Sequence, residues 1–454
     1  MAADVAVIGA GCAGLAAAVR LADRGLRVIV VEEAPRLGGR AASFTDRETG
    51  ERVDNGQHVL FGCYRETYAL LQRLGVADRA PLQPRLRITI ASDDGRAFEL
   101  TCPPLPPPWH LLGGVMTWRA LALRDRLSAL GLRRWLSVAR RDGAAAAADA
   151  VPAAMTVSEW LRAHGQSSEL CRWLWNPLAV AALNQSPDVA AARPFARVLG
   201  ELFGPRMEDS AIGVPTVPLD QLFAEPAVRA IEQRGGRVLT RTSARVIVDG
   251  DGTLRGVAAG SETIECRAVV SAVAWHAVGA LWGDRVPDAL EAVVSAARAM
   301  QSSPIVTVNL WFDGPVTSGA FVGLVGGAMH WVFDKSAIFG ERAGHLSIVS
   351  SGADDIVRLG NAELTRLAVA ELARALPSTR SRTLKRSVVV REHRATFSLA
   401  PGSPPRPSAR TALDGFYLAG DWTDTGLPGT IEGAVMSGHR AAEEIIQTVP
   451  RPEP

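Results

Sequence analysis

Lysine is nearly missing from this chain of 454 residues. Of its 49 basic residues only Lys335 and Lys385 are not arginine, a compositional bias to which we attach no function. Cysteine is sparse as well. Cys12, Cys63, Cys102, Cys171 and Cys266 are odd in number and scattered, with no Cys-x-x-Cys pair. That argues against a disulfide framework and against a structural zinc, no metal is expected, and a reducing compartment is predicted. No stretch of eighteen or more uncharged apolar residues exists, so no segment is expected to span a bilayer. The start lacks a basic flank and a separate apolar core, and strand-like sequence begins at Asp4, which argues against a signal peptide. The net charge of +2 reads as unconcentrated in any domain or tail, so nucleic acid is not an expected partner. A cytoplasmic protein is expected, with peripheral contact at the inner face of a membrane left open.

What is present is an ordinary folded composition, 47% hydrophobic and 21% charged. The length suits two intertwined domains. Residues 5–8 read as a strand, 9–14 as a glycine turn, 15–22 as a helix ended by Gly25, and 27–31 as a second buried strand. Residues 59–75 read as a helix stopped by Gly75. Pro103, Pro104, Pro106, Pro107 and Pro108 precede Trp109 and Trp118. Proline cannot feed a helix or a central strand, so a boundary or an exposed arm is expected there. The alanine-rich stretch 142–154 reads as a surface loop or loose helix. Helices are expected within 156–203 and over 219–234. Strands are expected at 237–240, 244–248, 254–258 and 268–271, with Asp249-Gly250-Asp251-Gly252 as a hairpin turn. Further strands fall at 304–312 and 346–350, and a helix at 361–376. The C-terminus repeats the opening logic: a strand at 415–419, a turn at Gly420-Asp421, and a helix from about Ile431.

Gly9-Ala10-Gly11-Cys12-Ala13-Gly14 matches G-x-G-x-x-G between a strand and a helix. The first glycine permits the tight turn, the second lets a pyrophosphate approach the backbone, and the third lets helix pack on strand. The helix start then offers free N–H groups and a positive dipole end to phosphate. Glu32 stands at the end of the second strand, eighteen residues after Gly14, where a carboxylate accepts from ribose hydroxyls and repels a 2′-phosphate. Gly38-Gly39 lets the backbone approach a second phosphate face, and Arg40 supplies a charge-assisted hydrogen bond. That pair separates a flavin scaffold from a plain nicotinamide domain.

The run Glu32-Glu33-Ala34-Pro35-Arg36-Leu37-Gly38-Gly39-Arg40 resembles the FAD superfamily of amine oxidases, protoporphyrinogen oxidases and phytoene desaturases. Tyr417-Leu418-Ala419-Gly420-Asp421 with Gly429-Thr430-Ile431-Glu432-Gly433-Ala434 is similar to that superfamily's second FAD motif. The resemblance implies an α/β fold: a Rossmann-like FAD-binding domain of glutathione-reductase type, amine oxidase-like, with an interleaved α+β substrate domain. It implies a discontinuous cofactor domain over 1–80, 205–285 and 390–450, and a substrate domain over 81–204 and 286–389. Asp421 would hold the ribityl chain or its neighbouring phosphate, and the helix from Ile431 would aim its dipole at the flavin. Residues 237–247 are similar to the strand pair that holds adenine through backbone, with Ala244 where valine is usual. Cofactor contacts are thereby expected at Gly9, Ala10, Gly11, Gly14, Glu32, Gly38, Gly39, Arg40, Gly56, Gln57, His58, Ala244, Gly420, Asp421, Gly429, Thr430 and Ile431.

Within that superfamily, Asp54-Asn55-Gly56-Gln57-His58-Val59-Leu60-Phe61-Gly62-Cys63-Tyr64-Arg65 resembles the squalene-associated FAD-dependent desaturases, the hydroxysqualene dehydroxylases. So do 174–184 and 420–430, although many members carry glutamate where Asn176 stands. This resemblance implies squalene formation for hopanoid synthesis, with a long isoprenoid as substrate and an electron donor that the sequence leaves unnamed. An allylic alcohol would lose its hydroxyl and receive hydride from reduced FAD. His58 is expected either to protonate the leaving hydroxyl or only to hydrogen-bond the flavin or a carbonyl. Tyr64 is a second donor candidate, and Asp54 is expected to orient a loop. Trp175, Trp331 and Trp422 are expected either in an apolar tunnel or as plain core. His330 and His393 are the other histidine candidates.

Three rivals remain. A phytoene-type desaturase would share the fold and the FAD but move hydride the other way. An amine oxidase would place an aromatic two residues before Glu432, where this chain has Thr430. Lys335 would then be a candidate beside the flavin, although a solvated surface lysine is the expectation. A lipid-escort protein on the same fold predicts a degraded cofactor motif, whereas Glu32, Arg40 and Asp421 are present.

Overall fold

The computed structural model describes residues 1–283, 285–340 and 343–448. Residues 284, 341, 342, 449 and 450 of the segments expected for the two domains therefore lie outside the described residues. Five strands form a parallel sheet in the order Phe416–Leu418, Ala268–Ser271, Val5–Ile8, Val28–Val31, Arg237–Leu239. The first four form continuous buried runs, as strands covered on both faces require, while the edge strand Arg237–Leu239 is partly exposed. The helix Cys12–Asp23 follows the first strand and packs against the C-terminal helix Ile431–Thr448. Gly438 makes that approach possible, because a Cβ there would lie 2.1 Å from the Ala13 carbonyl oxygen. The hairpin expected around 249–252 forms, with Asp249 accepting from the Asp251 and Thr253 amides.

A second sheet of seven strands runs Leu384–Phe397, Ser302–Phe312, His345–Ser351, Trp331–Asp334, Phe321–Val325, Arg87–Ser92, Ala97–Thr101. Its pairs are antiparallel except that between Phe321–Val325 and Arg87–Ser92. Strand alternation divides its side chains between two faces. Val306, Val308, Val332 and Ile348 pack with Leu364, Ala368 and Leu372 of the helix Asn361–Ala375. Ile305, Trp331, Phe333 and Val349 face a cavity on the other side. The strand Leu384–Phe397 runs through residue 390, where the sequence-based division falls. Helices between residues 109 and 202 close the cavity from above.

Four local expectations change. Residues 59–75 begin as the strand Leu60–Phe61, paired with Ile212–Gly213, and only Arg65–Arg73 is helical. The reason is tertiary: Glu432 caps that helix at the Glu66 and Thr67 amides, and Gly62 sits against the Glu208 carbonyl. The proline arm leads into a helix, Trp109–Thr117, whose Gly113 and Gly114 lie against Pro103 and Cys102. That helix is packed on one side, with His110 and Val115 buried, and open on the other, with Trp109 60% exposed. The alanine-rich stretch contains a packed helix, Ala144–Asp149, with Ala144 seated on Gly200. The helix expected over 219–234 opens as a wide π-type turn, Asp220–Ala224, ahead of Glu225–Glu232, which carries Pro226 in its first turn. Among the described residues no helix is long and apolar enough to cross a membrane.

Candidate active site

The glycine turn has the geometry that its spacing predicts. A Cβ on Gly14 would lie 1.9 Å from the Gly9 carbonyl oxygen, and Gly9 itself holds φ at +101°. Neither position admits a side chain without displacing backbone. Gly11 is different: a Cβ there would meet nothing within 4 Å, so open space faces its backbone. No side chain caps the helix that starts after it. Gly38 donates to the Ala10 carbonyl at 2.8 Å, and Gly39 stands over Gly11 with φ at +59°. Glu32 accepts from the Ala10 amide at 2.7 Å and from the Ala34 amide at 2.8 Å. Its carboxylate therefore braces the turn while keeping lone pairs for further donors. This cradle fits the pyrophosphate and ribose of a dinucleotide.

The second half of the frame comes from the far end of the chain. Arg40 donates to Asp421 at 2.6 Å and to the Ala395 carbonyl at 2.5 Å. Burial opposes the guanidinium charge, but Asp421 and Glu392 more than offset it and hold Arg40 above its ordinary value. The Gly420 amide donates to Ser437 at 2.8 Å, and Thr430 accepts from the Gly433 amide at 3.1 Å, capping the C-terminal helix. A Cβ on Gly429 would lie 3.0 Å from Thr396 and 3.1 Å from Asp421, so the loop before that helix is pressed onto the frame. Ala244 opens a strand of the 244–265 sheet opposite Ala259 and does not line the cavity.

The cavity measures about 960 Å3. Arg40, Gly56, Gln57, His58, Gly429, Thr430 and Ile431 wall one part of it, and leucine, isoleucine, valine, phenylalanine and tryptophan wall most of the rest. His58 Nδ1 lies 3.0 Å from the Gly56 carbonyl, which only accepts, so Nδ1 carries the proton. Burial lowers the His58 pKa, and the ring is neutral near neutral pH. Nε2 is then the position for a second proton. Tyr64 also lines the cavity, edge-on to Phe61, and burial pushes its phenol up.

Lys335 overturns the expectation of a solvated surface group. It is 1% exposed and donates to Asp54 at 2.8 Å and to Gln57 Oε1. Gln57 in turn donates to the His58 carbonyl at 3.2 Å. Asp54 also accepts from Ser43 at 2.6 Å and from the Leu219 amide at 3.1 Å, so it does orient its loop. Of the three tryptophans, Trp175 and Trp331 line the cavity. Trp422 does not: it is fully buried, with its indole N–H given to the Val273 carbonyl at 3.0 Å. His330 is outside the lining, accepts from the Ser351 amide at 3.1 Å, and is pushed down to about 4 by burial. His393 is exposed.

Two carboxylates escaped the sequence reading. Glu392 lines the cavity from the strand Leu384–Phe397 and accepts from Asn55 at 3.3 Å. The alternating charges around it gave no signal. Glu432 was read only as part of a motif, yet it accepts from the Glu66 amide at 3.0 Å, the Thr67 amide at 2.8 Å and the Thr67 hydroxyl at 2.7 Å. Burial raises its pKa against those three donors.

The family model for flavin containing amine oxidoreductases matches residues 12–446. The chain is 29% identical over 457 residues to the hydroxysqualene dehydroxylase of Rhodopseudomonas palustris, covering 98% of this chain and 99% of that one. It is 26% identical over 478 residues to a probable zeta-carotene desaturase of Synechococcus elongatus, covering 98% of each. Among solved structures it is similar to an oxidoreductase from Methanosarcina mazei, with a TM-score of 0.72 at 16% identity over 99% of this chain and 100% of the other. Cyclohexylamine oxidase from Brevibacterium oxydans shares the fold at a TM-score of 0.69 and 19% identity, covering 98% and 99%.

Proposed function

For a chain that belongs to the flavin containing amine oxidoreductases, we propose reductive dehydroxylation of hydroxysqualene to squalene, with FAD as the cofactor. The observation that carries this reading is the cavity, an apolar space of about 960 Å3 with Arg40, His58 and Thr430 in one wall. A hydrocarbon with one hydroxyl matches that distribution of polarity. The near full-length similarity to hydroxysqualene dehydroxylases supports the same substrate.

Gly11, Glu32, Gly38, Gly39 and Arg40 would hold the dinucleotide on one side, and Asp421 with 429–431 on the other. The cofactor domain is placed on 1–80, 205–285 and 390–450, with the substrate domain on 81–204 and 286–389. Bound reduced flavin supplies hydride. The protein must supply a proton, so that the carbon–oxygen bond breaks with water as leaving group. His58 is placed as that donor through Nε2, with Tyr64 as the alternate. The apolar wall keeps other water from the allylic cation, which would return the alcohol. Each turnover consumes two electrons, so an external reductant is a required partner.

The test is anaerobic incubation of the chemically reduced protein with hydroxysqualene. Squalene as product, with the flavin reoxidised in equal amount, is the expected result. Desaturation of a carotene precursor by the oxidised protein, without squalene formation, would favour the second reading, which the similarity to zeta-carotene desaturases supports. An amine oxidase is disfavoured by Thr430, whose hydroxyl is engaged in capping a helix.

A further inference from the structure

Among the described residues five large hydrophobic side chains stand exposed: Leu105, Trp109, Leu123, Leu127 and Val189. Four of the five fall within residues 105–127, and Leu123 is 65% exposed. Trp109, Leu111, Leu112 and Val115 of the same segment also line the cavity, as do Leu130 and Leu136 just beyond it. One segment therefore carries both a part of the apolar cavity wall and four of the five exposed large hydrophobic side chains.

Charge gathers on the same segment. Residues 103–143 contain seven arginines and two aspartates, a net +5 in a chain whose total is +2. The sequence reading that positive charge is nowhere concentrated is thereby corrected. Arg119, Arg124, Arg133, Arg134, Arg140 and Arg141 are exposed. Arg126 is the exception, donating to the Leu121 carbonyl at 2.8 Å and the Met116 carbonyl at 3.0 Å. Each acid offsets one arginine, Asp125 pairing with Arg124 at 3.7 Å and Asp142 with Arg141, and the excess of five arginines remains. Asp125 is buried, and Asp142 is held by Arg141 at 2.8 Å.

We propose that this segment is a docking surface for an anionic lipid bilayer. Exposed leucine and tryptophan among arginines match an interface where acyl chains begin just below phosphates. Arginine binds phosphate oxygens in pairs and so anchors without needing a defined partner. Nucleic acid would satisfy the arginines but would leave Leu123, Leu127 and Leu105 in water. The proposal deepens the lipophilic-substrate reading, and rests on it only for what passes from the bilayer into the cavity.

The test is flotation of the flavin-loaded protein with phosphatidylcholine vesicles, with and without phosphatidylglycerol. Binding to the anionic vesicles only, weakened by salt, is expected. Arg119, Arg124 and Arg134 lie outside the cavity lining. Arg119→Glu, Arg124→Glu and Arg134→Glu together should lower partition by at least about a hundredfold, since each arginine near an anionic surface is worth about fivefold. Leu123→Ser with Leu127→Ser should abolish the part of binding that survives high salt. Retained yellow colour shows that each variant is folded. Wild-type partition of the arginine variant, equal binding to neutral vesicles, or preference for a labelled DNA duplex over vesicles would each overturn the surface. No substrate enters this assay. A protein that converts hydroxysqualene in detergent but ignores anionic vesicles overturns the docking alone, and the reverse result overturns the function alone.

Discussion

Lys335 and Asp54, 281 positions apart in sequence, meet at 2.8 Å with both side chains buried. The pair braces the loop that carries Gln57 and His58, because Lys335 also grips Gln57 and Gln57 holds the His58 carbonyl. A buried pair of this kind is a weak source of net stability, but removing one partner strands the other. Lys335→Met should therefore cost about 3–5 kcal/mol, read from urea unfolding. A loss below about 1 kcal/mol would mean that Asp54 finds water or another donor.

Gly11→Val separates folding from cofactor retention. The added side chain meets no protein atom near its Cβ but fills the space kept for a pyrophosphate. The variant should fold, with an unchanged far-ultraviolet spectrum, and purify colourless. Full flavin occupancy would show that the phosphates lie elsewhere.

His58→Ala should keep bound flavin and slow turnover by a factor of ~100 to ~10,000, the usual cost of losing a general acid. The pH dependence carries a sign. Burial lowers the pKa, so the doubly protonated ring is scarce at neutral pH and grows more common as pH falls. Turnover should accordingly rise toward acid, and that limb should vanish in the variant. Activity within a few-fold of wild type with the limb intact would move the donor to another residue, Tyr64 being the next to replace.

Glu432→Ala removes the acceptor shared by the Glu66 and Thr67 amides and the Thr67 hydroxyl. Loss of such a helix cap costs about 1–2 kcal/mol. Differential scanning calorimetry should show a lower Tm, with Glu432→Gln intermediate because its amide oxygen still accepts. A wild-type Tm in both variants would mean that the cap carries no stability.

The glycine turn, Glu32, Gly38-Gly39 and Arg40 were legible in the sequence because they stand at a fixed spacing from one another, although the partners of Arg40, Asp421 and Ala395, lie far along the chain. A positive φ or a missing Cβ is a local requirement, and glycine announces it. Lys335 was not legible. Its burial depends on Asp54 and Gln57, and nothing in its own surroundings in sequence names them. Leu60–Phe61 misled for the same reason, since the strand is made by Ile212–Gly213 and by the cap from Glu432. Trp422 illustrates a further limit: its indole is held in the core by a partner far off in sequence, the Val273 carbonyl. The arginines of 103–143 were visible throughout, but charge summed over whole domains dilutes a patch carried by one segment.

The contact of Gly438 with Ala13 has a consequence for biosynthesis. The helix that follows the glycine turn rests on the last helix of the chain, and the sheet beneath it includes Phe416–Leu418. A nascent chain still attached to the ribosome has translated its phosphate loop long before it owns the surface that loop packs against. Flavin capture is then deferred until the helix Ile431–Thr448 has been made. A product truncated ahead of Gly438 would lack that surface and emerge apo, so that pigmentation reports whether the closing helix has been made.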